Sequence, residues 1–290
     1  MTDIIESAAS LAGRYKAWLC DVWGVVHNGV TPYPEAVEAL IAYRQQGGIV
    51  VFITNAPRPY HPVIDQLNRL GVSAQAYDRV LASGDVMRRM VIEHGHPAVH
   101  FLGPNRDRGL IEGLDIAEVP IEDAEIVLCT GLVDDLTETP EDYDPLLETM
   151  AAKGQIFYCA NPDKVVQKGD RLLYCAGALA DRYEALGGKV IFTGKPDALI
   201  YGDALAIASD LADMDLGRDD VLAIGDGMET DMRGAALNGI DALFVAGGIH
   251  AHELEDLHNG DPAALDPLLA RLDETAPGLR LQGIMPVLRW

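Results

Sequence analysis

Basic residues are scarce in this chain of 290: 22 lysines and arginines stand against 45 aspartates and glutamates, a net charge of −23. A field of that sign repels nucleic acid and anionic lipid over most of the surface, so any phosphorylated ligand must be small and held locally. Long apolar runs are missing too. None reaches the roughly 20 residues needed to cross a bilayer, and Met1 to Ser10 is acidic, without the basic flank of a secretion signal. The expectation is a cytoplasmic protein with neither membrane nor nucleic acid as partner. Cysteine is limited to Cys20, Cys129, Cys159 and Cys175, with no CxxC or Cys/His metal spacing, which predicts buried free thiols. Neither GxGxxG nor GxxxxGK[ST] follows a strand, which disfavours NAD and P-loop ATP binding, and no fixed-period repeat or low-complexity segment is present.

What is present is an alternation of apolar runs with helical spacing. Ala17 to Cys20 reads as a strand, Glu35 to Gln46 as a helix closed by Gly47-Gly48, and Ile49 to Ile53 as the next strand. Strands separated by helices join most simply as right-handed parallel crossovers. After a helix over His61 to Leu70, the stretch from about Ser83 to Gly187 repeats the alternation on its own and reads as an inserted domain. The first rhythm resumes with strand Lys189–Phe192, helix Ala198–Ala212, strand Val221–Ile224, helix Asp231–Leu237 and strand Asp241–Val245. The expected architecture is α/β: a Rossmann-like, doubly wound parallel sheet from residues 1–84 and 188–290, with an α/β cap inserted over 85–187. The apolar end, Ile284 to Trp290, has no placement deducible from the sequence.

Four polar elements punctuate these runs. Asp21 ends the first strand, Thr54 ends the second, Lys195 lies in Gly194-Lys195-Pro196, and Asp226 and Asp231 follow Val221–Ile224. A carboxylate at the carboxyl edge of a parallel sheet sits where open α/β folds collect ligands. An ionised aspartate can attack phosphorus and form an aspartyl-phosphate that water later cleaves. Asp226 and Asp231 beside Asp21 would make an all-oxygen site suited to Mg²⁺. Lys195 would compensate the phosphoryl charge, and Thr54 with backbone amides after Asp21 would hold the phosphoryl oxygens.

The order Asp-x-x-Gly-Val, strand-Thr-Asn, Gly-Lys-Pro, Gly-Asp-x-x-x-x-Asp resembles that of the haloacid dehalogenase-type hydrolase superfamily. The resemblance covers nearly the whole chain. The insertion, with Cys159-Ala160-Asn161-Pro162-Asp163 and Gly177-Ala178-Leu179, resembles the α/β cap of its class IIA, NagD-like members. The resemblance implies a mobile cap, Mg²⁺ as cofactor and a small phosphorylated metabolite as substrate. It also allows for a homodimer, since such caps often take part in dimer contacts. By motif matching, Asp21 is the nucleophile, Thr54 the phosphate ligand, Lys195 the charge-balancing lysine, Asp226 a direct metal ligand and Asp231 a water-mediated or more distant one.

One position departs from that pattern. The superfamily's phosphatases normally carry a second aspartate two residues after the nucleophile, protonating the leaving oxygen and activating water; this chain has Trp23. Its backbone carbonyl can still contact metal as the family's does, but an indole N–H exchanges no proton near neutral pH. General acid–base help is worth roughly 10²–10⁴-fold in rate. Three readings follow: hydrolysis restricted to good leaving groups such as acyl or aryl phosphates, a phospho-ligand sensor with little turnover, or an acid from elsewhere, His27 being the nearest candidate beside its plainer reading as an exposed loop histidine. Transfer to an acceptor other than water is a further option. Asn55 either touches phosphate or Asp21, as a substrate-binding residue, or shapes the turn after Thr54. Asp231 can also cap the helix that follows, a role Thr230 fills better. Glu229 reads as solvent-facing, Asn161-Pro162-Asp163 as a turn with some pocket contact, and the pairs His94/His96 and His250/His252 as loop histidines rather than zinc ligands.

Overall fold

Runs of two to six residues, most of them apolar, become the strands of a computed structural model that describes residues 4–95, 97–168, 171–247 and 265–290. In chain order they are β1 (Ala17–Cys20), β2 (Ile49–Thr54), β3 (Arg79–Ala82), β4 (Ala98–Leu102), β5 (Ala117–Glu118), β6 (Ile126–Cys129), β7 (Ile156–Cys159), β8 (Val165–Lys168), β9 (Arg171–Tyr174), β10 (Lys189–Phe192), β11 (Val221–Gly225), β12 (Asp241–Val245) and β13 (Arg280–Met285).

A six-stranded sheet runs in the order β13-β12-β11-β1-β2-β3. β1 lies parallel to both β2 and β11, and β12 parallel to β11 and β13. The chain leaves β1 toward β2 on one side and returns as β11 on the other, so β1 marks the point where the strand order reverses. Ligands of open α/β sheets bind beyond the strand ends at such a point. All four residues of β1 are buried, as a central parallel strand requires. The helices Pro34–Gln45, Ala198–Ala212 and Arg233–Asn238 form close to the spans their periodicity predicts. The C-terminal tail is placed by β13, an edge strand, and by Trp290, whose ring lies 6.4 Å from that of Trp18; Trp18 itself stacks on Tyr43 at 3.8 Å.

A second sheet, β10-β7-β6-β4-β5, is parallel throughout. Leu102, Cys129, Cys159 and Phe192 are partners across its four longer strands, which therefore end at one level. β8 and β9 form an antiparallel pair that the sequence reading missed. The described residues divide into two compact units, 1–54, 64–80 and 196–290 in the first and 55–63 and 81–195 in the second. This division falls at other positions than the expected boundaries. β10 does not rejoin the first sheet but pairs with β7, and Asn55–Val63 group with the second unit. All four cysteines are buried and free; burial pushes the Cys129 thiol up to about 12. Among the described residues no helix is long and apolar enough to cross a membrane.

Candidate active site

Register fixes the first half of the site. Cys20 pairs with Ile224 on one side and Phe52 on the other. Asp21, Thr54 and Asp226 therefore leave the carboxyl ends of three adjacent central strands. The Asp21 N–H donates to the Ile224 carbonyl at 2.8 Å, extending the ladder by one residue and fixing the backbone from which the carboxylate projects. Asp21, Thr54, Asp226 and Asp231 are each buried.

Asp231 arrives by a different route. Met228–Met232 forms a single π turn, in which the N–H groups of Asp231 and Met232 both donate to the Gly227 carbonyl, at 2.9 and 3.0 Å. Such turns are rare and concentrate at functional sites. The turn folds the Asp231 carboxylate back over the strand end, where Oδ2 accepts from the Gly227 N–H at 3.1 Å and lies 3.3 Å from the Thr230 hydroxyl. The helix that follows starts only at Arg233. The Tyr201 hydroxyl donates to the Asp231 carbonyl at 3.2 Å and steadies the turn from the helix Ala198–Ala212.

The result is a cluster in which Asp21, Asp226 and Asp231 offer carboxylate oxygens all within 4.8 Å of one another. Carboxylates this close repel one another when ionised, and a bound cation would relieve that repulsion. An oxygen-only donor set suits a hard divalent ion such as Mg²⁺ and not a thiolate-seeking metal. The residues present therefore fit the metal that the sequence suggested.

Glycines that sequence reasoning passed over make the crowding feasible. A Cβ on Gly24, whose φ is +92°, would lie 2.0 Å from Asp226 Oδ2, and one on Gly225 would lie 2.1 Å from Asp231 Cγ. Tyr33 was also missed: burial and the nearby Asp226 charge both push its phenol up. For the two glycines the only signal was their nearness in sequence to the aspartates, and for Tyr33 the sequence carried none.

Trp23 is half-buried, its indole laid against Gly29, where a Cβ would sit 2.4 Å from the ring. Its edge meets the His27 ring at 5.2 Å and 74°. His27 is not the exposed loop residue of the plainer reading. It is 2% exposed, its Nδ1 accepts the Gly29 N–H at 2.9 Å, and burial lowers its pKa to about 4. A neutral imidazole with that nitrogen engaged is a poor proton donor at pH 7, so His27 does not replace the missing carboxylate. Glu229 is exposed and paired with Arg233, as its sequence context suggested. His96, His250 and His252 lie outside the described residues.

Lys195 and Asn55 belong to the second unit. Lys195 is 2% exposed and follows β10 directly after Thr193 and Gly194. Asn55 Oδ1 accepts the Lys195 N–H at 2.8 Å, while Nδ2 donates to the Lys195 carbonyl at 3.2 Å and to Asp163 Oδ1 at 2.9 Å. Both amide hydrogens are spent inside the unit. These bonds give Asn55 a place inside the unit that neither sequence reading named.

Comparison with known proteins gives the family and the fold. Residues 18–117 match a family model described as haloacid dehalogenase-like hydrolase, and residues 192–274 match a second, HAD-hydrolase-like model. A crystal structure of a haloacid dehalogenase-like hydrolase from Brucella suis is 42% identical, with a TM-score of 0.82 over 91% of this chain and 97% of the other. An acid sugar phosphatase of Staphylococcus saprophyticus is 28% identical over 83% of this chain and 90% of its own. The p-nitrophenyl phosphatase of Archaeoglobus fulgidus shares the fold at 22% identity, with a TM-score of 0.67 over 94% and 96% of the two chains.

Proposed function

Because this chain belongs to the haloacid dehalogenase-like hydrolases, we propose that it is a Mg²⁺-dependent phosphatase acting on a small phosphorylated metabolite through an aspartyl-phosphate on Asp21. The observation that carries this reading is the buried carboxylate triad at the strand-order reversal. The Staphylococcus relative, named an acid sugar phosphatase, supports phosphate esters as the substrate class.

In this mechanism an Asp21 carboxylate oxygen attacks phosphorus while the bond from phosphorus to the leaving oxygen breaks; water then attacks the same phosphorus and releases phosphate, restoring the carboxylate. Thr54 and backbone amides after Asp21 bind the phosphoryl oxygens, and Lys195 offsets their charge. Asp21, Asp226, Asp231 and the Trp23 carbonyl would hold the ion, which supplies charge neutralisation and orients the phosphoryl oxygens when bound. Trp23 donates no proton to the leaving oxygen. Substrates whose leaving group departs as a stable anion, aryl and acyl phosphates, are favoured over alkyl phosphates by up to the roughly 10²–10⁴-fold that general acid help is worth.

The test is direct. Purified protein with Mg²⁺ is expected to hydrolyse p-nitrophenyl phosphate and acetyl phosphate, and Asp21→Asn is expected to abolish turnover while leaving the thermal midpoint close to wild type. Background rates across a broad phosphate panel, together with measurable phosphate binding, would instead favour a phospho-ligand sensor.

A further inference from the structure

The amide of Asn55 sits between two partners of different character. Lys195 presents a backbone N–H and a C=O, and Asp163 presents a carboxylate. A side-chain amide is two-ended, with donors on nitrogen and acceptors on oxygen, and it can be turned over at little cost unless a neighbour chooses. An ionised carboxylate only accepts. It therefore draws Nδ2 toward itself and leaves Oδ1 facing the Lys195 N–H. The rest of the surroundings are built to the same end. A Cβ on Gly194 would lie 2.4 Å from Asn55 Oδ1, so only glycine lets the lysine's backbone come this close. The backbone that carries the carboxylate is held in turn: the Asp163 N–H donates to Asn161 Oδ1 at 3.2 Å, and the Gly177 N–H donates to the Asn161 and Asp163 carbonyls at 2.9 and 3.1 Å. A Cβ on Gly177 would meet the Pro162 carbonyl at 2.1 Å. The Asn-Pro-Asp turn of the insertion is thus aimed at the residue after Thr54.

We propose that Asn55 and Asp163 are a positioning pair for Lys195, the carboxylate setting the sense of the amide and the amide clamping the backbone from which the lysine's ammonium projects. The proposal rests on the phosphatase reading for what Lys195 does, and neither residue touches substrate. Breaking such a support costs activity without removing the charge itself. Residues that orient a functional group typically contribute about 10–100-fold.

The experiment measures kcat/KM for p-nitrophenyl phosphate and the affinity for inorganic phosphate, both with saturating Mg²⁺, on wild type and folded variants. Asn55→Ala is expected to lower both, by about 10–100-fold in kcat/KM. Lys195→Ala lowers them at least as far, and the double variant is no worse than Lys195→Ala alone, because groups acting through one another are not additive. Asn55→Asp sets two carboxylates face to face and is expected to fall below Asn55→Ala. Adding Asp163→Asn to it restores the donor–acceptor contact between positions 55 and 163 with reversed sense, while the bond to the Lys195 carbonyl stays lost, so activity and phosphate affinity recover in part, above Asn55→Asp alone; a residue serving only the fold would not show this swap. Additive losses, or no recovery in Asn55→Asp/Asp163→Asn, would overturn the pair. Wild-type turnover with Asn55→Ala unaffected sinks the pair alone. Wild type without turnover sinks the phosphatase reading, and the pair is then decided by the same order of variants in phosphate affinity, or overturned if wild type binds no phosphate.

Discussion

At Gly24 the loop after Asp21 has no room for a methyl group. The substitution Gly24→Ala would press a Cβ to within 2.0 Å of Asp226 Oδ2 on a backbone of φ +92°, which alone costs about 1–3 kcal/mol for a non-glycine residue. Asp226 must move. We expect Gly24→Ala to weaken Mg²⁺ binding by at least about tenfold, roughly 1.4 kcal/mol, checked by calorimetric titration; unchanged affinity would show that the contact is incidental. Trp23→Asp should act in two opposed ways. It removes the indole from Gly29 and so lowers the thermal midpoint, while placing a carboxyl group where a proton donor is missing. The ratio of alkyl to aryl phosphate turnover is expected to rise by up to about 10²–10⁴-fold. A ratio that does not move would mean that proton transfer does not limit alkyl substrates. At this scale the sequence was informative wherever a polar residue ended an apolar run: Asp21, Thr54 and Asp226 stand out for that reason. It was silent where function depends on a close approach. A glycine in a loop looks the same whether it faces solvent or an aspartate oxygen, and the orientation of the Asn55 amide depends on Asp163, over a hundred residues away.

Among the elements, strand existence was legible and strand partnership less so. Lys189–Phe192 is apolar and short, which suits the edge of either sheet, and only its register with β7 decides where it belongs. The edge strand β13, Arg-Leu-Gln-Gly-Ile-Met, carries too mixed a pattern to be read as a strand from composition, and its burial rises only over its last three residues. The π turn was read as the start of a helix because Asp231 to Leu237 has helical spacing; what delays the helix is the double acceptance at the Gly227 carbonyl. The turn that carries Asp231 also depends on a helix contact. Tyr201 is buried against Gly234, where a Cβ would lie 2.5 Å from its ring, and its hydroxyl holds the Asp231 carbonyl. Gly234→Ala is an overpacking change expected to cost about 1–3 kcal/mol, measured by urea unfolding. Tyr201→Phe should cost only about 0.5–1.5 kcal/mol, the range for one hydrogen bond. The reverse order would mean that the hydroxyl, not the packing, holds the turn.

For the whole molecule, the net charge of −23 acts against the substrate. A phosphate dianion approaching an acidic protein is repelled, and salt screens that repulsion as the Debye length falls from about 30 Å at 0.01 M to about 8 Å at 0.15 M. With Mg²⁺ held saturating, kcat/KM should rise with sodium chloride over this range; a fall would mean that local positive charge around the site outweighs the global field. The alternation of strands and helices announced an α/β fold. Where one unit ends and the other begins depended on long-range pairing that no local pattern encodes.

The central question is whether carboxylates two hundred positions apart in sequence share one ion, and anomalous diffraction from crystals soaked in Mn²⁺, a Mg²⁺ surrogate, answers it most directly. One strong peak within bonding distance of both Asp21 and Asp226 oxygens, lost in Asp226→Asn, is the expected result. A peak elsewhere, or none at a Mn²⁺ concentration that supports turnover, would contradict it.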